Sequence, residues 1–404
     1  MTVLTELIGS SSGPSAMSQS STDLPAIVLA VAVFGYPLVG NLVSILGIDS
    51  RVLSIPFRLL VIAISLWLLL VCRRMRLTKA RIAMLLIWLA YTLRLAYDMV
   101  VARIDGADYA LQFFLASCVL PALAVFTADE FQQHRFARFA FLLIVAGCAA
   151  TLLGSLLGRF GESDLTTTTG RLSTVALNPV SLGHLAVSGV IIGMTSWATA
   201  RGAARAGLIV GMILATACLV MTGSKGPALA LIVCAAVWAA SRGAFGRFLL
   251  LGLPVLGFVA FAPASPLAAR LAGLGEDVST LDRLLILRDS IEQGLDSPLY
   301  GSAFVELNSG LYPHNLFLDA ILAFGFPLAI VFAVLVGIAT IRALRCLRNG
   351  QELLGLLFFQ SLIGGMLSGA IFAATGFWCL LALLLGPEFG VSRHGVQSAQ
   401  QIGK

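Results

Sequence analysis

Charge is what this chain has least of. Asp, Glu, Lys and Arg make up 11% of its 404 residues, where a soluble domain carries about 25%. With 58% hydrophobic residues and a mean hydropathy of +0.96, a water-soluble domain around one buried core is excluded. Proline is modest (14 residues) and the 40 glycines follow no collagen-like period, so fibrous and disordered classes are excluded too. The seven cysteines form no CxxC and lie in or beside apolar runs. Neither a disulfide framework nor a zinc site is indicated, and no His/Cys/carboxylate cluster has metal-ligand spacing. No cofactor is implied. Residues 1–22 lack a cationic stretch followed by a short apolar one, so they read as a disordered cytoplasmic tail and not as a signal peptide.

Long apolar runs fill the rest. A membrane span needs about 20 apolar residues, and candidates lie near 24–47, 54–72, 80–98, 111–127, 137–158 and 180–199. Further ones lie near 206–222, 226–241, 247–263, 315–341, 353–371 and 374–388. The expected fold is therefore all-α: a polytopic transmembrane bundle of about 12 spans. Eleven is the competing count if 353–388 is one broken helix. Spans 1–9 occupy 23–263 and spans 10–12 occupy 314–388, followed by a tail at 389–404.

The formal net charge of +6 does not point to nucleic acid, because the basic residues sit in short clusters between apolar runs. Placing the N-terminus inside puts sixteen of the 26 Lys and Arg in inner segments, with at least two in every inner loop. That is the positive-inside pattern, and it predicts both termini in the cytoplasm. On that reading the inner face carries plain anchoring charge. One outer loop, 264–313, is far longer than the others and is not low-complexity, which marks it as functional.

Four residues on the outer side stand out: Arg171, Lys225, Arg288 and His314. In the stretch 280–296, Leu281, Leu284, Leu285, Ile291 and Leu295 share one helical face. A possible capping box, Ser279 to Asp282, opens it. Arg288 lies in the middle of that apolar stripe and Arg283 projects roughly opposite. Arg288 is either paired with Glu292 four residues on or turned inward to bind an anion at the membrane surface. His314 opens the tenth span, with Asn315 placed to cap it. A span's outer end offers unpaired N–H groups that favour phosphate, and imidazole can take a proton near neutral pH; packing or capping is its plain alternative. Arg171, before the sixth span, and Lys225, in the turn TGSKGP, either snorkel or join the site. Asp319 reads as a carboxylate stabilised by the helix dipole. A transporter is disfavoured: Arg94 and Asp319 are the clear charges within spans, Asp319 near an end, and no internal repeat is visible.

Residues 165–330 resemble the bacterial O-antigen ligase/polymerase family of membrane glycosyltransferases. The resemblance is carried by GRL…NPVSLG, by TGSKGPALAL, by ILRDSIEQGLDSPLYGSAF and above all by PHNLFLDAILAFG. That last segment fits the ligase-type order of His, then Asn, Ser or Gln, nine residues, then Gly: His314, Asn315, Gly325. Lys225 stands where the family typically has arginine, losing bidentate geometry. Leu328 stands where the ligase pattern often has a small residue. The resemblance implies a GT-C-like helical fold in the bacterial inner membrane with a periplasmic 264–313 loop. It implies transfer of a polysaccharide from undecaprenyl diphosphate to lipid A–core, or to another lipid-linked repeat unit in a polymerase. Arg171, Arg288 and Lys225 would bind the diphosphate and His314 would be the base of an inverting, metal-independent displacement.

Overall fold

A computed structural model describes residues 16–71, 75–127, 131–158, 172–173, 177–242 and 278–387. All regular elements among them are helical, without a strand. They are α1 (Ala16–Leu46), α2 (Ser50–Val71), α3 (Lys79–Val100), α4 (Ala107–Val125), α5 (Gln133–Leu156) and α6 (Pro179–Ser196). Then come α7 (Gly202–Thr222), α8 (Lys225–Arg242), α9 (Val278–Asp296), α10 (Leu316–Arg348), α11 (Glu352–Ser368) and α12 (Thr375–Leu384). A 3-10 turn, Ile371–Ala373, joins the last two.

Among the described residues nine helices are long and apolar enough to cross a membrane: α1, from Leu24 on, through α8, and α10. The apolar helices α11 and α12 are shorter. This is a multi-pass helical bundle. The ninth expected span (247–263), the tails 1–15 and 388–404 and the first part of the 264–313 loop lie outside the described residues. Leu70, Leu93, Ile213 and Ile330 are each 60% or more exposed, as lipid-facing side chains of spanning helices are.

Lipid tails are as apolar as leucine, so small residues and internal polar bonds hold spanning helices together. Here Gly189 lets α6 meet Ile144 of α5, and Gly193 and Gly211 make room for Met212 and Phe141. Asn41 of α1 donates to Thr151 Oγ1 (2.6 Å) and to the Gly147 carbonyl (2.9 Å) of α5. An aromatic cluster fills the centre, where Trp378 meets Trp88 and Phe332 at 5.7 and 5.8 Å.

Two helices are interrupted, and both breaks serve the same region. In α4 the segment Phe114–Val119 is π-helical, a local register change often found at functional sites. Cys118 in it donates to the Phe372 carbonyl in the 3-10 turn at 3.3 Å. In α10, Gly325 has φ 74 and ψ 176, a region open essentially to glycine alone. A Cβ there would lie 2.5 Å from the Leu299 carbonyl carbon. The chain at 297–303 fills the break: Phe326 N–H donates to the Pro298 carbonyl (2.8 Å), and Ser302 N–H to the Leu322 carbonyl (2.8 Å). Non-helical backbone at membrane depth is tolerated where protein groups satisfy it in this way.

Arg81 and Arg342, expected from the sequence only as anchoring charge, also bond within the protein. Arg81 donates to the Ala382 carbonyl (3.1 Å) and Arg342 to those of Leu384 and Gly386 (2.7 and 2.8 Å). Both cap the last turn of α12, where free carbonyls and the dipole favour cations.

Candidate functional site

At the opposite end of α10 from Arg342 stands His314. Its backbone has φ 57, uncommon for a residue with a side chain and a sign of local strain. Asn315 accounts for the turn that follows: its Oδ1 accepts from Phe317 N–H (3.0 Å) and Leu318 N–H (3.3 Å), as the sequence predicts for a cap.

The preceding loop is rigidly built. Gln293 of α9 donates to Ser302 Oγ (2.7 Å) and the Val305 carbonyl (3.1 Å), and accepts from Leu307 N–H (2.9 Å). Buried Asp98 of α3, paired with Arg94 (3.1 Å), accepts from Phe304 N–H at 2.9 Å. Glu306 folds the next turn by accepting from Asn308 and Ser309 N–H, each at 2.7 Å. Burial alone would raise its carboxyl, but the Ser309 hydroxyl and those two N–H groups outweigh it and hold the group below the ordinary carboxylate range.

The His314 ring stands edge-on to Tyr312, 4.4 Å between centroids, and Tyr312 stands edge-on to Phe372 at 5.9 Å. The Ser368 backbone lies close enough to act on the ring, and Nδ1 is buried with no protein partner. That nitrogen is therefore not committed to a protein hydrogen bond. Burial, and next the guanidinium of Arg283, push the imidazole below its ordinary value, with the Ser368 backbone opposing them. A neutral imidazole at neutral pH is the form a general base needs.

The end of α11 gathers the rest of the site. Arg283, half-buried on α9, donates to the Leu367 carbonyl at 3.1 Å. A Cβ at Gly226 would lie 3.7 Å from Ser368 Oγ and 3.8 Å from Leu367 Cβ. That places the N-terminus of α8, which begins at Lys225, against the same two residues. Ser368 Oγ is itself buried without a partner. Burial and next the Asp319 carboxylate raise the Tyr312 hydroxyl, Arg283 opposing, so Asp319 and Arg283 both act electrostatically on Tyr312. Asp319 does more than sit in a favourable dipole: buried completely, it accepts from Ile371 N–H at 2.6 Å and ties the start of α10 to the 3-10 turn.

The structure thus brings together His314 and the α8 end that carries Lys225. It does not bring Arg288 with them. Arg288 pairs with Glu292 at 3.0 Å, is 72% exposed and points outward with its leucine stripe. Arg283, on the polar side of α9, is the arginine beside His314. Of the two readings of Arg288, the structure has the pair with Glu292, since an apolar stripe can face lipid as well as protein. The helix also begins at Val278, one residue before Ser279. Arg171 lies outside the described residues; its neighbour Leu172 donates from its N–H to the Met221 carbonyl (2.9 Å), beside the turn that leads into Lys225.

Chemically the arrangement offers a neutral imidazole, a guanidinium and two helix N-termini, at Lys225 and Asn315, whose dipoles favour anions. No protein-family model and no curated protein matches this chain.

Proposed function

We propose that the protein is a membrane glycosyltransferase of the O-antigen ligase type. It transfers a polysaccharide from undecaprenyl diphosphate to lipid A–core on the periplasmic face of a bacterial inner membrane. The observation that carries the proposal is the meeting of His314 with Arg283 and the Lys225 end of α8 around Leu367 and Ser368.

His314 takes the proton from the acceptor hydroxyl. The freed oxygen attacks the anomeric carbon, the carbon–oxygen bond to the diphosphate breaks, and the configuration inverts. Negative charge grows on the departing lipid diphosphate, where Arg283, Lys225 and Arg171 stabilise it; fixed cations in a water-poor site are suited to that task. Arg288 is not assigned to this clamp. A polymerase joining lipid-linked repeat units is the second reading, favoured by Leu328 and Lys225 in place of the small residue and the arginine of the ligase pattern.

Deleting the gene in the bacterium that carries it tests both. Loss of polymer from lipid A–core with long lipid-linked chains accumulating is the expected result. Accumulation of single repeat units means a polymerase, and unchanged surface and lipid-linked glycans would overturn both readings.

A further inference from the structure

Helix α9 is amphipathic in the inverted sense. The side facing the protein is mostly small or polar: Ser290 and Gly294 are buried there, with Gln293 and Arg283 half-buried and Ile286 and Leu287 the apolar exceptions. The side facing away carries Leu281, Leu284, Leu285, Ile291 and Leu295, each between 46% and 61% exposed. Leu299 (61%) and Tyr300 (82%) continue this surface. In water such a contiguous patch would be a liability.

Its depth can be read against α10. A Cβ at Gly294 would lie 2.8 Å from Ile321 Cγ2, and Pro298 bonds to Phe326. At 1.5 Å per residue these positions lie about 8 and 15 Å along α10 from its first residue, Leu316. The C-terminal end of α9 and the turn after it therefore run alongside a spanning helix, not beyond its end. Tyr300 and Leu299 line a cavity of about 540 Å³ with Leu93 and Tyr97 of α3 and Pro327 of α10. Leu93 and Tyr97 are themselves 61% and 51% exposed on a spanning helix. The leucine face is thus continuous with the surface that meets lipid.

We infer that α9 and the 297–300 turn are a membrane-docking element, lying in the leaflet at the His314 end with the leucine face among the acyl chains. Arg288, in the middle of that face, snorkels to the headgroup phosphates. Polar Arg283 on the opposite face is thereby held at headgroup depth, where a lipid-borne phosphate would be met. The docking itself needs only that the helices span a bilayer and does not depend on the glycosyltransferase reading.

Spin labels test it. Leu284→Cys, Leu285→Cys and Leu295→Cys are made in the full chain with its native cysteines replaced by alanine, reconstituted into phosphatidylethanolamine/phosphatidylglycerol vesicles. Asn308→Cys, on the exposed 307–310 turn, serves as the aqueous reference. Labels at 284, 285 and 295 should collide with oxygen in preference to a water-soluble nickel chelate, and the label at 308 should show the reverse. Nickel accessibility at 284 and 285 matching that at 308 overturns the proposal. So do immobilised labels shielded from both reagents, which would mean that protein, such as a second copy of the chain, covers the face.

Discussion

The Pro298 carbonyl accepts a hydrogen bond from the N–H of Phe326 at 2.8 Å. Through this bond the loop before His314 is fastened into the gap that Gly325 opens in the helix after it. Gly325 is therefore a structural partner of the loop as well as a break in α10. Gly325→Ala should be destabilising by about 2–4 kcal/mol, from the glycine-only backbone region and the backbone contact a Cβ would make. Thermal unfolding in detergent measures this; a midpoint equal to wild type would refute the account.

His314→Ala should lower transfer by at least about a hundredfold, the usual contribution of a general base, while membrane insertion and unfolding temperature stay near wild type. Full activity in that variant removes the base assignment.

Arg283→Gln should reduce transfer, whereas Arg288→Gln should leave it near wild type. The two residues sit on opposite faces of one helix, so comparing them separates a specific contact from a general loss of α9. Equal losses in both, or a larger loss at Arg288, would contradict the placement of the site.

The pH dependence follows from the lowered imidazole. The active form is neutral, so activity should hold through pH 6.5 and fall on the acid side of it. Arg283→Gln removes one of the two causes of the lowering, and the acid limb should move toward higher pH in the residual activity. Stability has the same sign. A histidine depressed in the folded state contributes stability that is present above its unfolded value and lost as pH falls through the folded one. An acid limb unmoved by Arg283→Gln argues against the electrostatic contact.

Asp319→Leu leaves the Ile371 N–H buried without an acceptor, a cost of about 1–3 kcal/mol. Asp319→Asn keeps an acceptor and should cost less. If both variants unfold at the same temperature, the bond to Ile371 is not what Asp319 provides.

The helices were legible because apolar run length is a local property: the eleven described runs are all helical, and nine of those helices are long and apolar enough to cross a membrane. Asn315 was legible as a cap for the same reason. The orientation of Arg288, paired with Glu292 and turned outward, was not legible for a physical reason particular to membranes: helical periodicity finds an apolar face, but lipid and protein interior compete for it. What Gly325 does could not be read, since its requirement comes from Pro298 and Leu299 across a fold, not from its neighbours. The same holds for Asp98, whose partner Phe304 is 206 positions away, and for Arg81, which caps Ala382. Pairings at such separations leave no spacing pattern to recognise.

The bond from Asp319 to Ile371 spans 52 positions, and His314 likewise meets Ser368 across the whole of α10 and α11. During synthesis α10 enters the bilayer before either partner has left the ribosome. Until α11 and the 3-10 turn follow, a buried carboxylate and a strained histidine stand without the groups that fix them. Assembly of the site therefore waits on α11 and the 3-10 turn, in the order in which the helices are delivered.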